Sequence, residues 1–234
     1  MLEMLTNMKL MTRPKISVIV TTYNRPKMLQ RAIDSILNQT FQDFEIIVVD
    51  DCSKSLHIPK ENKGWLNRIT IIQMPWNTGF HIRPKNVGVM CSKAKVIAYL
   101  EDDNRFLPNH LEVLYKTLIE KKADVVYGDR TYKSTIPNEK RFMGKMSKGF
   151  DAKLLEKGNY IDTSDIMHTM KALIDVGYWD IRWERKPDWL LMLAFSRANK
   201  KIIHVPKIIT EYHWHDSNLS STPIKSQKRF TDEL

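Results

Sequence analysis

Apolar and polar residues alternate along the first half of this chain in blocks that predict strands and helices in turn. Short β-branched runs bounded by turn residues are typical of buried strands. Such runs lie at residues 16–20, 44–49, 69–73, 96–100 and 124–127. Apolar residues at helical spacing predict helices over residues 27–39, 85–92 and 108–120. This alternation with short turns indicates a parallel, doubly wound α/β sheet.

The pattern weakens after Tyr127. Residues 128–159 are polar and basic without a clear period, which predicts long loops or a small antiparallel excursion. Order returns in a predicted helix over residues 187–199 and a last strand over residues 201–205, and the tail over residues 212–234 is predicted to be irregular. The chain therefore combines a regular α/β half with a variable half.

Three consecutive carboxylates follow the fourth apolar run. Glu101, Asp102 and Asp103 would sit at the carboxyl edge of the sheet, where open α/β folds bind ligands. Adjacent anions repel one another unless a cation or several donors lie among them. One interpretation is a hard divalent metal, Mg²⁺ or Mn²⁺, that carries a substrate phosphate. The alternative is an acidic turn in which Asp103 or Asn104 caps the next helix.

A second strand end also carries acids. Asp50 and Asp51 follow the second apolar run, and right-handed crossovers would bring both acidic strand ends and the turn at residues 21–24 to one edge of the sheet. A carboxylate at this position can accept from a base N–H or a ribose hydroxyl. The alternative is a helix cap or an Asx-turn into Ser53.

Arg83 and Lys85 lie between a predicted strand and a predicted helix. Cations there could meet diphosphate oxygens, and arginine favours bidentate contact with them. The alternative is a basic loop that faces solvent.

Asp188 precedes Trp189 at the start of a predicted helix. Burial beside apolar rings would raise its pKa and suit it to act as a general base. It could equally serve only the helix dipole, and Asp180 and Glu184 are rival acids.

The charge of the chain adds a further hypothesis. The 234 residues include 37 Lys or Arg and 27 Asp or Glu, a net charge of +10, and residues 130–160 hold eight basic and three acidic residues. Such a segment could attract a nucleotide sugar, an acidic membrane surface or a nucleic acid, or it could be solvated without a partner. The sequence lacks an evident nucleic-acid recognition helix.

Several classes of protein are disfavoured. Two cysteines without metal-ligand spacing are typical of reduced thiols in a cytoplasmic protein. No apolar stretch approaches about 18 residues, and residues 1–13, with four methionines, lack the apolar block of a signal peptide. The absence of Gly-x-Gly-x-x-Gly, P-loop and Gly-x-Ser-x-Gly motifs argues against dinucleotide oxidoreductases, P-loop kinases and α/β-hydrolases. We expect a cytoplasmic protein, with peripheral membrane association as an open alternative.

The segments 14–26, 35–41, 44–53 and 99–104 together resemble the family 2 glycosyltransferases of GT-A fold, in particular the bacterial spore-coat polysaccharide glycosyltransferase. Residues 212–220 are similar to the family's late Tyr-x-x-His-x-x-Asn-x-Ser motif. The resemblance implies a Rossmann-like, mainly parallel twisted sheet flanked by helices, with a variable acceptor-side region.

The resemblance also implies roles for single residues. Five would bind the nucleotide, namely Thr21, Tyr23, Asp51, Arg83 and Asp102. The metal, Mn²⁺ or Mg²⁺, would be held by Asp103 and by His215, which the motif favours over His213. Asp188 would deprotonate the acceptor hydroxyl.

We therefore predict a metal-dependent, inverting glycosyltransferase that moves a sugar from a nucleotide diphosphate, most simply UDP, to the hydroxyl of a glycan, lipid-linked or other acceptor. Residues 14–128 would bind the donor and residues 129–215 the acceptor, between tails at 1–13 and 216–234, of which the second is a candidate lid. The alternatives are a nucleic-acid-directed glycosyltransferase, a nucleic-acid-binding protein, and a relative that binds a nucleotide without catalysis.

Overall fold

The regular elements follow the predicted alternation over the first half of the chain. This computed structural model describes residues 13–55, 68–134, 144–183 and 185–215. The strands are β1 Ile16–Thr22, β2 Phe44–Asp50, β3 Ile69–Gln73, β4 Val96–Glu101, β5 Arg105–Phe106, β6 Val125–Ser134, β7 Gly144–Met146, β8 Ile166–Thr169 and β9 Ile202–Trp214. The helices are α1 Pro26–Leu37, α2 Ile82–Met90, α3 His110–Glu120, α4 Ala152–Lys157, α5 Met170–Asp175 and α6 Pro187–Arg197, with a 3₁₀ turn at Thr163–Asp165.

Within these ranges the strands form one nine-stranded sheet in the order β3-β2-β1-β4-β8-β6-β9-β5, with β7 paired to β6. Strands β3, β2, β1 and β4 are parallel to one another. Every residue of β1 and β2 is buried, because helices cover both faces of the sheet. Alternate residues of β2 therefore pack into two separate core layers, one with α1 and one with α2.

The sheet departs from a purely parallel arrangement beyond β4. Strand β8 runs antiparallel to both of its neighbours, β4 and β6. The sequence did not predict β8, because it has only four residues and one of them is His168. That imidazole is fully buried and both of its nitrogens have partners. Nδ1 donates to the carbonyl of Thr169, and Nε2 lies within hydrogen-bond distance of the Tyr99 hydroxyl. A buried polar side chain of this kind conceals a strand from hydropathy analysis.

The segment after Tyr127 contains the predicted antiparallel excursion. Strand β6 continues to Ser134 and pairs with β7, and helix α4 follows behind the N-cap Asp151. Residues 135–143, the middle of the basic segment, lie outside the described residues. The side chain of Arg130 is buried against Asp165 rather than presented to a partner.

The last strand is much longer than predicted. Strand β9 runs for 13 residues, so the predictions of an end at Val205 and of an irregular chain from Tyr212 were wrong for this part. Pro206 explains the error, because proline within a run is typical of a strand end. The structure instead places it at a β-bulge, where the register with β6 shifts between Gly128 and Arg130.

No helix of the described ranges is long and apolar enough to cross a membrane. The tails expected at 1–13 and 216–234 lie almost wholly outside the described residues, which begin at Arg13 and end at His215. The division into donor and acceptor halves stays a prediction.

Candidate active site

The acidic strand end of β4 meets the turn that follows β1. The hydroxyl of Thr22 donates to Asp102 Oδ2 at 2.7 Å. A single guanidinium nitrogen of Arg25 lies 3.2 Å from Asp102 Oδ1 and 3.3 Å from Asp103 Oδ2. Burial and the neighbouring charge of Asp103 raise the pKa of Asp102 to about 7, although Arg25 and Thr22 oppose this shift. Sequence analysis missed both Thr22 and Arg25.

Asp103 faces the end of β9. His215 Nε2 lies 3.2 Å from Asp103 Oδ2, and both side chains are nearly buried. The guanidinium of Arg31 donates to the backbone carbonyl of Asp103. His213 lies 3.7 Å from Glu211 and 3.4 Å from Arg31, the residue that bonds the Asp103 carbonyl. The structure thus brings the imidazole of His215 into direct contact with the Asp103 carboxylate.

Asp103 and His215 could supply two ligands to a metal ion, fewer than an ion needs. The described residues contain no group of three or more His, Cys, Asp or Glu side chains that could bind an ion by themselves. Mg²⁺ and similar ions are nevertheless commonly bound through one or two protein ligands, with substrate phosphates and water as the others. The donor set therefore fits an ion that arrives with a diphosphate.

Glu101 forms an ion pair with a buried lysine. Lys85 Nζ lies 2.5 Å from Glu101 Oε1 and 4.8 Å above the ring of Trp179. Burial alone would raise the pKa of Glu101, but the charges of Lys85 and His81 and the hydrogen bonds from Lys85 and Thr163 together outweigh it and lower the pKa to about 2. Arg83 lies exposed on the first turn of α2. Lys85, Arg25 and Arg31 all reach the acidic run, whereas the side chain of Arg83 is exposed.

The end of β2 supports a loop. The amide of Thr78 donates to both carboxylate oxygens of Asp51, at 2.9 and 3.1 Å, and the side chain of Asn77 donates to the Asp51 carbonyl. The Asx-turn into Ser53 does form, but Asp50 makes it. This loop and the turn after β1 both lie beside Asp51.

The two remaining residues expected at the nucleotide belong to the end of β1. Thr21 is buried and pairs in register with Glu101 of β4. Tyr23 is 43% exposed in the turn that follows. The backbone amide of Asp51 donates to the carbonyl of Thr22, so the ends of β1 and β2 are joined directly.

Asp188 lies in the first turn of α6. The side-chain amide of Asn159 donates to Asp188 Oδ2 at 2.8 Å, and the amide of Trp189 contacts Oδ1 at 2.9 Å. Burial and the charge of Asp162 raise the pKa of Asp188 to about 6. Of the two rivals, Asp180 is paired with an arginine that lowers its pKa, and Glu184 lies outside the described residues.

A second buried acidic group lies near Asp188, and the sequence did not predict it. Asp162 and Asp165 form a capping box around the 3₁₀ turn, and Arg130 lies 2.5 Å from Asp165. Burial raises the pKa of both acids, although the charge of Arg130 opposes it. Asp162 interacts electrostatically with both Asp103 and Asp188. The Asp-x-x-Asp spacing could have indicated the cap, but nothing in the sequence pointed to the site.

Comparisons with known proteins show the family to which the chain belongs. The family model described as Glycosyl transferase family 2 matches residues 17–181. TarP, a poly(ribitol-phosphate) beta-N-acetylglucosaminyltransferase of Staphylococcus aureus (strain N315), is 35% identical over 120 residues, which are 49% of this chain and 36% of TarP. YwdF, an uncharacterized glycosyltransferase of Bacillus subtilis (strain 168), is 25% identical over 227 residues, 94% of this chain and 82% of YwdF.

The fold is similar to that of a solved structure. The crystal structure of residues 1–349 of Staphylococcus aureus TarS in complex with UDP-GlcNAc gives a TM-score of 0.73 at 22% identity, and covers 90% of this chain and 62% of that one. This likeness confirms the GT-A fold expected from the sequence. The chain spans little more than a third of TarP and less than two thirds of the TarS fragment.

Proposed function

Because the chain belongs to glycosyl transferase family 2, we propose that it is an inverting, metal-dependent glycosyltransferase that moves a hexosyl group from a UDP-sugar to an acceptor hydroxyl. One observation carries the proposal. Asp103, which contacts His215, and Asp188, whose pKa is raised, both interact electrostatically with the buried Asp162.

Asp188 acts as the general base. With a pKa of about 6 its carboxylate is ionised at neutral pH and still basic enough to accept the proton of an acceptor hydroxyl. The acceptor oxygen then forms a bond to the anomeric carbon, while the bond from that carbon to the diphosphate oxygen breaks on the opposite face. The electron pair leaves with the nucleoside diphosphate, so the anomeric configuration inverts.

Positive charge near Asp102 and Asp103 stabilises the leaving diphosphate. Arg25 lies within 3.3 Å of both Asp102 and Asp103 and can stabilise charge that develops on the leaving oxygen. A divalent cation held by Asp103 and His215 would act there as a Lewis acid. Asp102 would contact the ribose or the donor sugar.

The nucleoside binds at the ends of β1 and β2. The Asp51 carboxylate accepts a hydrogen bond from an N–H group of the base. The buried Thr21 and the exposed ring of Tyr23 line the same site. The choice of UDP is supported by the UDP-GlcNAc complex of TarS, which shares the fold. The acceptor is a glycan, lipid-linked or other hydroxyl compound. No observation favours a nucleic acid in that position.

A donor hydrolysis screen tests this proposal. Purified protein is incubated with a panel of nucleotide sugars and Mn²⁺, and release of the nucleoside diphosphate is measured. We expect slow hydrolysis of one or more UDP-sugars by the wild type and a loss of at least about 100-fold, the range of general base catalysis, in Asp188→Asn. Asp180→Asn is the matched control and should keep its rate. Hydrolysis of no nucleotide sugar by the wild type would contradict the proposal.

A further inference from the structure

Asn86 connects helix α2 to the loop that leads into Asp188. Its Oδ1 accepts from the backbone amide of Trp179 at 3.1 Å, and its Nδ2 donates to the carbonyl of the same residue at 2.8 Å. Both polar groups of one loop residue are thus held by one side chain. We call this pair, Asn86 and Trp179, the clamp.

The ring of Trp179 fixes the clamp to strand β4. It is 2% exposed and donates from Nε1 to the hydroxyl of Tyr99 at 3.0 Å, in an edge-to-face contact with centroids 5.1 Å apart. The Tyr99 hydroxyl also lies 2.9 Å from His168 Nε2. Tyr99 stands two residues before Glu101, so the ring is anchored to the strand that ends in the acidic run.

The loop around Trp179 adopts conformations that need such support. Tyr178 has φ +70° and Lys186 has φ +50°. Left-handed conformations are unfavourable for non-glycine residues and persist only where the surrounding structure holds them. Lys186 directly precedes the Pro187-Asp188 turn. The orientation of α6 at its first turn therefore depends on how firmly the loop is held.

Consecutive residues of α2 contact the two halves of the site. Lys85 bonds to Glu101, next to the donor-side acids, and Asn86 bonds to Trp179, on the way to Asp188. We propose that Asn86 and Trp179 are positioning residues of the transfer reaction, which fix Asp188 relative to Asp103 so that the acceptor oxygen is deprotonated in line with the anomeric carbon. This inference rests on the proposed function. A displacement of about 1 Å can lower a rate 10²-fold.

The test separates rate from binding. In Asn86→Ala we expect kcat for hydrolysis of the UDP-sugar that the wild type cleaves to fall about 10- to 100-fold. The Kd for UDP with Mn²⁺ should stay within about twofold of the wild-type value, a margin well below one order of affinity. Gln39→Ala is the matched control, since Gln39 also bonds a backbone amide and a backbone carbonyl of one segment, at Leu111 and Leu107. It should lose stability and keep kcat.

A double-mutant cycle distinguishes positioning from general loosening. Once Asp188→Asn has removed the base, adding Asn86→Ala should cost no further activity, whereas a purely structural effect would be additive. Trp179→Phe keeps an aromatic side chain, although a smaller one, and removes the hydrogen bond to Tyr99. It replaces Asn86→Ala in the test if that variant does not fold. Wild-type kcat in Asn86→Ala, or additivity in the cycle, would overturn the clamp. A wild type that turns over no nucleotide sugar would instead overturn the proposed function.

Discussion

Lys85 Nζ lies 2.5 Å from Glu101 Oε1, although the lysine is 2% exposed. Lysine is almost never buried to this extent unless it is paired. The contact gives Glu101 a role that differs from that of its two acidic neighbours, because it has a buried lysine of its own whereas Asp102 and Asp103 share one nitrogen of Arg25.

Lys85→Met should destabilise the fold by about 3–5 kcal/mol, because removal of one partner leaves a buried charge without compensation. Adding Glu101→Gln should recover most of the loss. Urea unfolding measures the stability of the single and the double variant. Lys171→Met is the control, because Lys171 forms an exposed ion pair with Asp175 and its loss should leave the stability unchanged. Equal stability of the single and double variants would contradict this account.

The Lys85–Glu101 pair also predicts acid sensitivity. The folded-state pKa of Glu101 is about 2, below its ordinary 4.5. A lowered pKa means that the pair stabilises the protein above pH 4.5 and that this contribution is lost as the pH falls towards 2. Unfolding at a series of pH values should therefore show a smaller acid-dependent loss in the Lys85→Met/Glu101→Gln variant than in the wild type.

The transfer rate should rise with pH through about 6, because Asp188 must lose its proton to act as a base. Two charged groups face it, Asp162, which raises its pKa, and Lys85, which lowers it. Asn159→Ala removes a hydrogen bond to the ionised form, so it should move the acid limb of the kcat profile to higher pH. An unchanged limb would exclude Asp188 as its source.

Metal-dependent affinity for UDP should require both Asp103 and His215. Titration calorimetry of UDP with and without Mn²⁺ should show tighter binding with the metal in the wild type. Asp103→Ala and His215→Ala should abolish that difference, and His213→Ala should retain it because His213 lies beside Glu211. Equal affinity with and without Mn²⁺ in the wild type would remove the role proposed for Asp103.

The assignments of Arg25 and of Arg83 to the diphosphate predict different effects on UDP affinity. The sequence pointed to Arg83, whereas the structure places Arg25 on Asp102 and Asp103. Arg25→Ala should weaken UDP binding about tenfold or more, the effect of one charge-assisted contact of 1.5–3 kcal/mol, and Arg83→Ala should weaken it less. The reverse order would favour the assignment made from the family resemblance.

Gly88→Ala should destabilise the protein, contrary to the usual gain within a helix. A Cβ at this position would lie 2.6 Å from Ile19 Cγ2 and 3.2 Å from Val49 Cγ2. Overpacking of this kind costs about 1–3 kcal/mol. Gly149→Ala, where nothing lies within 4 Å, is the control in thermal unfolding.

The sequence predicted the parts of the fold that depend on local pattern. Strands β1, β2 and β4 are buried on both faces, so their apolar runs were evident. Strand β9 was predicted too short because Pro206 occupies a bulge, and β8 was missed because His168 is buried in it. The acids of the site were predicted because they directly follow apolar strands. Their partners could not be predicted in this way, since Arg25 and Asp102 are 77 residues apart and come together only in the folded chain.

The register of β9 decides which histidine reaches Asp103. Strand β6 fixes that register over ten residue pairs, and the two-residue strand β5 adds the pairs Arg105 with Glu211 and Phe106 with Thr210. Side chains two apart on a strand share a face, so a slip of β9 by two positions would keep the same face inward and bring His213 towards Asp103 in place of His215. The bulge at Pro206 opposes such a slip, because it would no longer lie opposite Gly128 and Asp129. A proline that resembles a strand end in the sequence thus helps to select the histidine that faces Asp103.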